Sequence, residues 1–177
     1  MNIWHDVNPN RIHPENFIAV VEINQGCKNK YELDKETGRL ILDRVLYTST
    51  HYPQNYGFIP RTYAGDNDPL DVLILCSESI IPLTLVRCVP IGVFKMMDGG
   101  EVDEKIIAIA QNDPTYSAYE TIEELPAHIF QEIRHFFQVY KTLEGKETVV
   151  HQVQGREAAI ASIKASMAHY NEVYGKK

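Results

Sequence analysis

Apolar residues run in short strand-length blocks through the first two thirds of the chain and recur at helical spacing only in the last third. Phe17-Ile18-Ala19-Val20-Val21-Glu22-Ile23 is β-branched and apolar apart from Glu22, and it predicts a strand. After a loop at 24–29, Lys30 to Asp34 and Arg39 to Leu46 predict a hairpin around the turn Lys35-Glu36-Thr37-Gly38. The stretch from His51 to Pro60 is rich in aromatics, proline and glycine, and predicts an ordered loop leading into another strand. Val72-Leu73-Ile74-Leu75 has the length of a buried strand. Thr84 to Met97 is a long β-like run whose Pro90 and Gly92 mark an edge or a bulge in a curved wall. Gly99-Gly100 predicts a hairpin tip, and Lys105 to Ala110 the strand that returns from it.

The period then changes. Thr121 and Glu124 match a capping box, and Pro126 suits the first turn of a longer helix. Ile129, Phe130, Ile133, Phe136, Phe137 and Tyr140 form an apolar stripe that packs this helix on the sheet. His128 and His135 lie seven apart on it and predict a core edge or a subunit contact. Thr148 to Val153 predicts a last strand. Ala159, Ile160, Ile163, Met167 and Tyr170 give a C-terminal helix its apolar face. Residues 1–16, with Pro9 and Pro14, read as an arm along the surface. With no repeat or linker, the expectation is one α+β domain over 1–177, its antiparallel strands closed into a small barrel beside two main helices.

Composition narrows the function classes. At 177 residues, 44% hydrophobic and 23% charged, the chain is ordinary for a globular protein. No apolar stretch approaches the roughly 18 residues of a membrane span, and the N-terminus lacks the pattern of a secretory signal. Cys27, Cys76 and Cys88 form no CxxC pair, which points to reduced thiols and a cytoplasmic location. A net charge of −7 without a basic block speaks against direct nucleic-acid binding. An anionic substrate stays open, provided that bound cations invert the charge of an acidic pocket.

The candidate chemistry centres on Gly65-Asp66-Asn67-Asp68-Pro69-Leu70-Asp71. Pro69 favours an extended Asp68, which would put Asp66 and Asp68 on one side. Three carboxylates at one rim repel one another unless a cation neutralises them. On this segment alone, a loop and a hard-metal site are equally good readings. An EF-hand is a poor fit, since its required Gly and Glu positions hold Asp71 and Ser77. Elsewhere Lys30 and Glu32 share a strand face, while Glu22 and Arg44 are charges in apolar strands. Taken singly, such residues are most often surface ion pairs.

Together these residues carry a resemblance. Asp66-Asn67-Asp68-Pro69-Leu70-Asp71 meets the signature D-[SGDN]-D-[PE]-[LIVMF]-D of the family I soluble inorganic pyrophosphatases. Further blocks follow in order: Val20-Val21-Glu22-Ile23, Lys30-Tyr31-Glu32-Leu33-Asp34, Asp43-Arg44, Tyr52-Pro53-Gln54-Asn55-Tyr56-Gly57, Lys95-Met96-Met97-Asp98, Asp103 with Lys105, and His135-Phe136-Phe137 before Tyr140-Lys141. The chain is similar to that family over nearly its whole length.

The resemblance implies an OB-like five-stranded barrel and Mg²⁺-dependent hydrolysis of pyrophosphate to two phosphates, with several ions per site. It assigns Asp66, Asp71 and Asp103 to a first ion, Asp71 also to a second, Asp98 and Asp103 to one arriving with substrate, and Glu32 to a fourth. Asp68 becomes the base for the attacking water, with Tyr56 supporting nucleophile and metals. Lys30, Arg44, Lys105, Tyr140 and Lys141 grip phosphate, and Glu22 and Tyr52 belong to the pocket wall. Gly99 stands where many relatives carry an acid. The prokaryotic form, usually a homohexamer, is the one resembled. The rival expectations are a phosphohydrolase acting on nucleotides or polyphosphate, and a non-catalytic OB-type binding module.

Overall fold

A computed structural model describes residues 1–175 of the chain. Ten strands and three α-helices follow one another along the described residues. They are α1 (Ile3–Asp6), β1 (Ile12–His13), β2 (Asn16–Ile23), β3 (Asn29–Leu33), β4 (Leu40–Val45), β5 (Asn55–Phe58), β6 (Asp71–Leu75), β7 (Leu85–Asp98) and β8 (Glu101–Ala110), then α2 (Ala127–Val139), β9 (Thr148–Val150), β10 (Gln154–Gly155) and α3 (Arg156–Tyr174).

Five strands make the ring. β2 pairs with β5, β5 with β6, β6 with β8, β8 with β7, and β7 returns to β2. The expected α+β barrel with its two main helices is therefore present. One seam departs from the antiparallel expectation: β6 and β8 run parallel, with Asp71 opposite Lys105. The long run through Pro90 stays a single strand because a register shift between Pro90 and Gly92 bends it, so that β7 serves β2 at one end and β8 at the other. β3 and β4 form a separate hairpin at the mouth of the ring.

Side chains on β6 and β8 alternate between two cores, as the period of two requires. Val72, Ile74, Ile106 and Ala108 join a cluster under α3 with Ala159 and Ile163. Leu73, Leu75, Ile107 and Ile109 join another under α2 with Ile133, Phe136 and Phe137. At about 25 cal/mol per Å², rows of fully buried branched residues like these are the main favourable contribution to the fold.

Four local expectations change. The stretch 51–60 contains a strand of its own, β5, in which Gly57 lies opposite Val21. A Cβ on Gly57 would sit 1.8 Å from the Val20 carbonyl oxygen, so only glycine permits this close approach of β5 to β2. The capping box is real, with the Glu124 carboxylate accepting from the Thr121 N–H at 3.0 Å. It caps a 3₁₀ turn at Ile122–Glu124, however, and the helix proper starts after Pro126. The N-terminal arm is anchored more deeply than a surface strap, because Trp4 is buried and its Nε1 donates to the Thr62 carbonyl at 2.9 Å. His128 and His135 are both exposed on α2 in this chain, away from the core edge.

Candidate active site

Charged residues cap the apolar rows of the α2-side core at one end of the ring. Asp71 continues the row of Leu73 and Leu75, Asp103 and Lys105 that of Ile107 and Ile109, and Asp98 that of Phe94 and Met96. The parallel seam sets Asp71 beside Lys105, and the Gly99-Gly100 turn, with φ of 59° and 86°, brings Asp98 back above Asp103. Across from them the β3–β4 hairpin supplies Lys30 and Glu32, and the loop before β6 supplies Asp66 and Asp68. Together they enclose a cavity of about 630 Å³.

Thirteen of the fourteen residues singled out from the sequence line this cavity: Glu22, Lys30, Glu32, Tyr52, Tyr56, Asp66, Asp68, Asp71, Asp98, Asp103, Lys105, Tyr140 and Lys141. Arg44 stands apart. It lies opposite Lys30 on the hairpin, pairs with Asp43, and holds its Nε 2.9 Å from Glu144 Oε1, beyond the lining. Asp34, Lys35 and Phe137 line the cavity as well, although the sequence marks Lys35 only as part of a turn. Glu144, beyond the Tyr140-Lys141 block, carries no signal at all.

The aspartate segment is a turn, which corrects the extended expectation. Asn67 adopts φ of 65°, and the Asp66 carboxylate accepts the Asp68 N–H at 3.1 Å. Asparagine tolerates this left-handed geometry better than most residues. The Asx turn satisfies the backbone locally and still delivers Asp66 and Asp68 to one cavity.

At the floor, Lys105 is only 3% exposed. Its Nζ donates to Asp71 Oδ2 and the Tyr56 hydroxyl, each at 2.8 Å, and stands 3.1 Å from Asp103 Oδ2. Burial opposes its charge, but Asp103 and Asp71 outweigh that penalty and push its pKa well above the ordinary lysine value. Glu22 sits at the bulge between Val21 and Ile23, where its carboxylate accepts the Leu33 N–H at 2.8 Å and ties the hairpin to the ring. Burial and repulsion by Asp71 push Glu22 up to about 8. The same two causes, in the same order, push Asp66 up to about 6. Burial raises Asp103 too, against the pull of Lys105. Tyr52 and Tyr56, desolvated beneath Phe136 and Phe137, are raised well above the usual phenol range and remain neutral donors.

Every lysine assigned to the substrate is paired with an acid: Lys30 with Glu32 and Asp43 at 3.1 Å each, Lys105 with Asp71 and Asp103, and Lys141 with Asp98. Among the described residues no three acids stand close enough to make a ready metal cage. The carboxylates instead neutralise the lysines. A cavity in which every lysine has an acidic partner, and in which acids outnumber lysines, is suited to an anion that arrives together with cations, since both sets of partners can then exchange.

An OB-like ring closed over such a pocket defines the class of small barrels that bind an anion together with cations. The Pyrophosphatase family profile, described as inorganic pyrophosphatase, matches residues 19–171, and the chain belongs to that family. The chain is 47% identical over 171 residues to soluble inorganic pyrophosphatase 2 of Chlamydomonas reinhardtii, covering 97% of this chain and 89% of that one. It is 48% identical over 169 residues to soluble inorganic pyrophosphatase 1 of Arabidopsis thaliana, covering 96% and 80%. The crystal structure of the Thermus thermophilus inorganic pyrophosphatase superposes with a TM-score of 0.92 at 36% identity, covering 97% of this chain and 99% of that one. The activity of the chain is accordingly that of an inorganic diphosphatase, a hydrolase of pyrophosphate.

Proposed function

We propose that residues 1–177 form a single catalytic domain that cleaves pyrophosphate with Mg²⁺, through attack by a water whose proton passes to Asp68. The observation that carries this reading is the one cavity in which thirteen of the expected residues meet, each of its lysines paired with an acid and further acids left over. Asp66, Asp71, Asp98, Asp103 and Glu32 are hard oxygen donors of the kind Mg²⁺ prefers. Asp66 is raised by burial and then by Asp71, so a cation placed beside it would favour its ionised form. Mg²⁺, when bound, supplies positive charge against the phosphoryl oxygens and makes water a competent nucleophile near neutral pH.

The remaining work falls to the chain's own groups. Asp68 accepts the proton as the water oxygen bonds to one phosphorus, and the bridging P–O bond breaks with its electron pair going to the departing phosphate. Lys30, Lys105 and Lys141 exchange their acidic partners for phosphate oxygens and stabilise the charge that develops there. Arg44, outside the cavity lining in this structure, would have to turn toward the substrate to join them, bringing the Nη2 donor that is buried without a partner among the described residues. Tyr56 and Tyr140 add neutral donors, and Glu22 and Tyr52 hold the wall.

A cytoplasmic homohexamer completes the proposal. Exposed Leu42 and Val45 on β4, with Ile81 and Leu83 before β7 and Leu85 at its start, support an assembly that covers them. No described helix is long and apolar enough to cross a membrane. The test is phosphate release with Mg²⁺ from pyrophosphate, from nucleoside triphosphates and from polyphosphate. Rapid turnover of pyrophosphate alone is expected. Comparable rates on the other two would move the enzyme to a broader phosphohydrolase.

A further inference from the structure

We infer that Lys35 is a positioning residue for Asp68, an inference that rests on Asp68 being the base of the reaction. Lys35 lies in the turn between β3 and β4 and lines the cavity. Its Nζ forms an ion pair with Asp68 Oδ1 and donates to the Asn67 carbonyl at 3.1 Å. The Asp68 backbone is already pinned by the Asx turn, and its carbonyl accepts the Ala64 N–H at 2.8 Å. The side chain is not pinned in that way. It is 53% exposed, and Lys35 is the partner that fixes where its oxygens point. A carboxylate that must meet a water within hydrogen-bond reach loses rate when its rotamers are unrestrained.

Lys35 is itself held, which separates this pair from an ordinary surface salt bridge. Its carbonyl accepts the Asn2 side-chain amide at 2.9 Å, and its ammonium lies 5.9 Å from the centre of the Trp4 ring. Trp4 in turn binds the other loop. Its Nε1 donates to Thr62, and its carbonyl accepts the Arg61 N–H at 2.9 Å. The N-terminal arm, which precedes the family match at residue 19, thus staples the turn carrying Lys35 to the loop that leads into Asp68. The other cavity lysines pair with residues proposed as metal ligands, or with Asp43 beside Arg44, and exchange partners when substrate and cations enter. Asp68 is not among those ligands, so the entry of cations and substrate leaves the Lys35 pair in place up to the step in which Asp68 takes the proton.

Steady-state kinetics with Mg²⁺ and pyrophosphate on Lys35→Met, Lys35→Arg and Asp68→Asn test the assignment, with thermal melts of each as a check on folding. Lys35→Met is expected to lower kcat about 10- to 100-fold while KM stays within about twofold, and Lys35→Arg to recover most of the rate through the same charge. An unchanged kcat, a KM that rises in proportion to the loss, or a failure of Lys35→Arg to recover the rate would each overturn it. Asp68→Asn stands as the separate control. Undiminished turnover in that variant removes the base assignment itself, whereas its collapse beside a normal Lys35→Met removes only the role of Lys35.

Discussion

At the scale of single residues, the site trades stability for charge held in reserve. Glu22 ordinarily titrates near 4.5 and reaches about 8 in the fold, because burial and Asp71 both oppose its ionised form. Between those values the native state keeps a proton that the unfolded chain has released. Stability of the metal-free protein should therefore fall as pH rises from about 4.5 to 8, by up to about 1.4 kcal/mol per unit. Glu22→Gln, which can still accept from Leu33, should flatten that slope in urea titrations with a chelator present. Equal slopes in the two proteins would assign the pH dependence to some other group. Thirteen acids, tyrosines and lysines of the cavity were legible in the sequence because their types and order match a family signature. Lys35 and Glu144 were not, since a lysine in a polar turn and a glutamate beyond a motif look like solvated surface. Their partners, Asp68 and Arg44, come from distant segments that only the closed ring brings near.

At the scale of elements, a buried strand can hide behind the wrong composition. β5 reads as loop in the sequence because Pro53, two tyrosines and Gly57 outweigh its short apolar content, yet Gly57 is what lets the strand approach β2. Gly57→Ala would drive a methyl group into the Val20 carbonyl. The expected outcome is a loss of more than about 4 kcal/mol, or failure to fold, seen as a lowered denaturant midpoint. A loss within about 1 kcal/mol would mean that β2 and β5 can part without harm. The apolar rows of β6, β7 and β8 were plain from their spacing, and so were both long helices. The parallel seam between β6 and β8 was not, because alternation fixes which residues share a face and leaves strand direction open.

For the whole molecule, the crowded acids predict a protein that gains stability from the ions it uses. Mg²⁺ at about 100 times its dissociation constant should add about 2.7 kcal/mol. For a chain of this size that corresponds to a rise in Tm of roughly 5–10 °C, and Asp66→Asn should blunt it. A Tm indifferent to Mg²⁺ and to chelator would argue against the carboxylates as ligands. The order of the ring has a further consequence in time. During synthesis β2, β5 and β6 appear first and can lie together as an open three-stranded sheet. The hairpin of β7 and β8 comes later in the chain and supplies both remaining seams, β8 onto β6 and β7 onto β2. Asp98, Asp103 and Lys105 travel on that hairpin, while Asp66, Asp68 and Asp71 wait on the sheet. No part-built form of this chain can hold the reaction's groups together, so the first molecule able to turn over substrate is one whose ring has already shut.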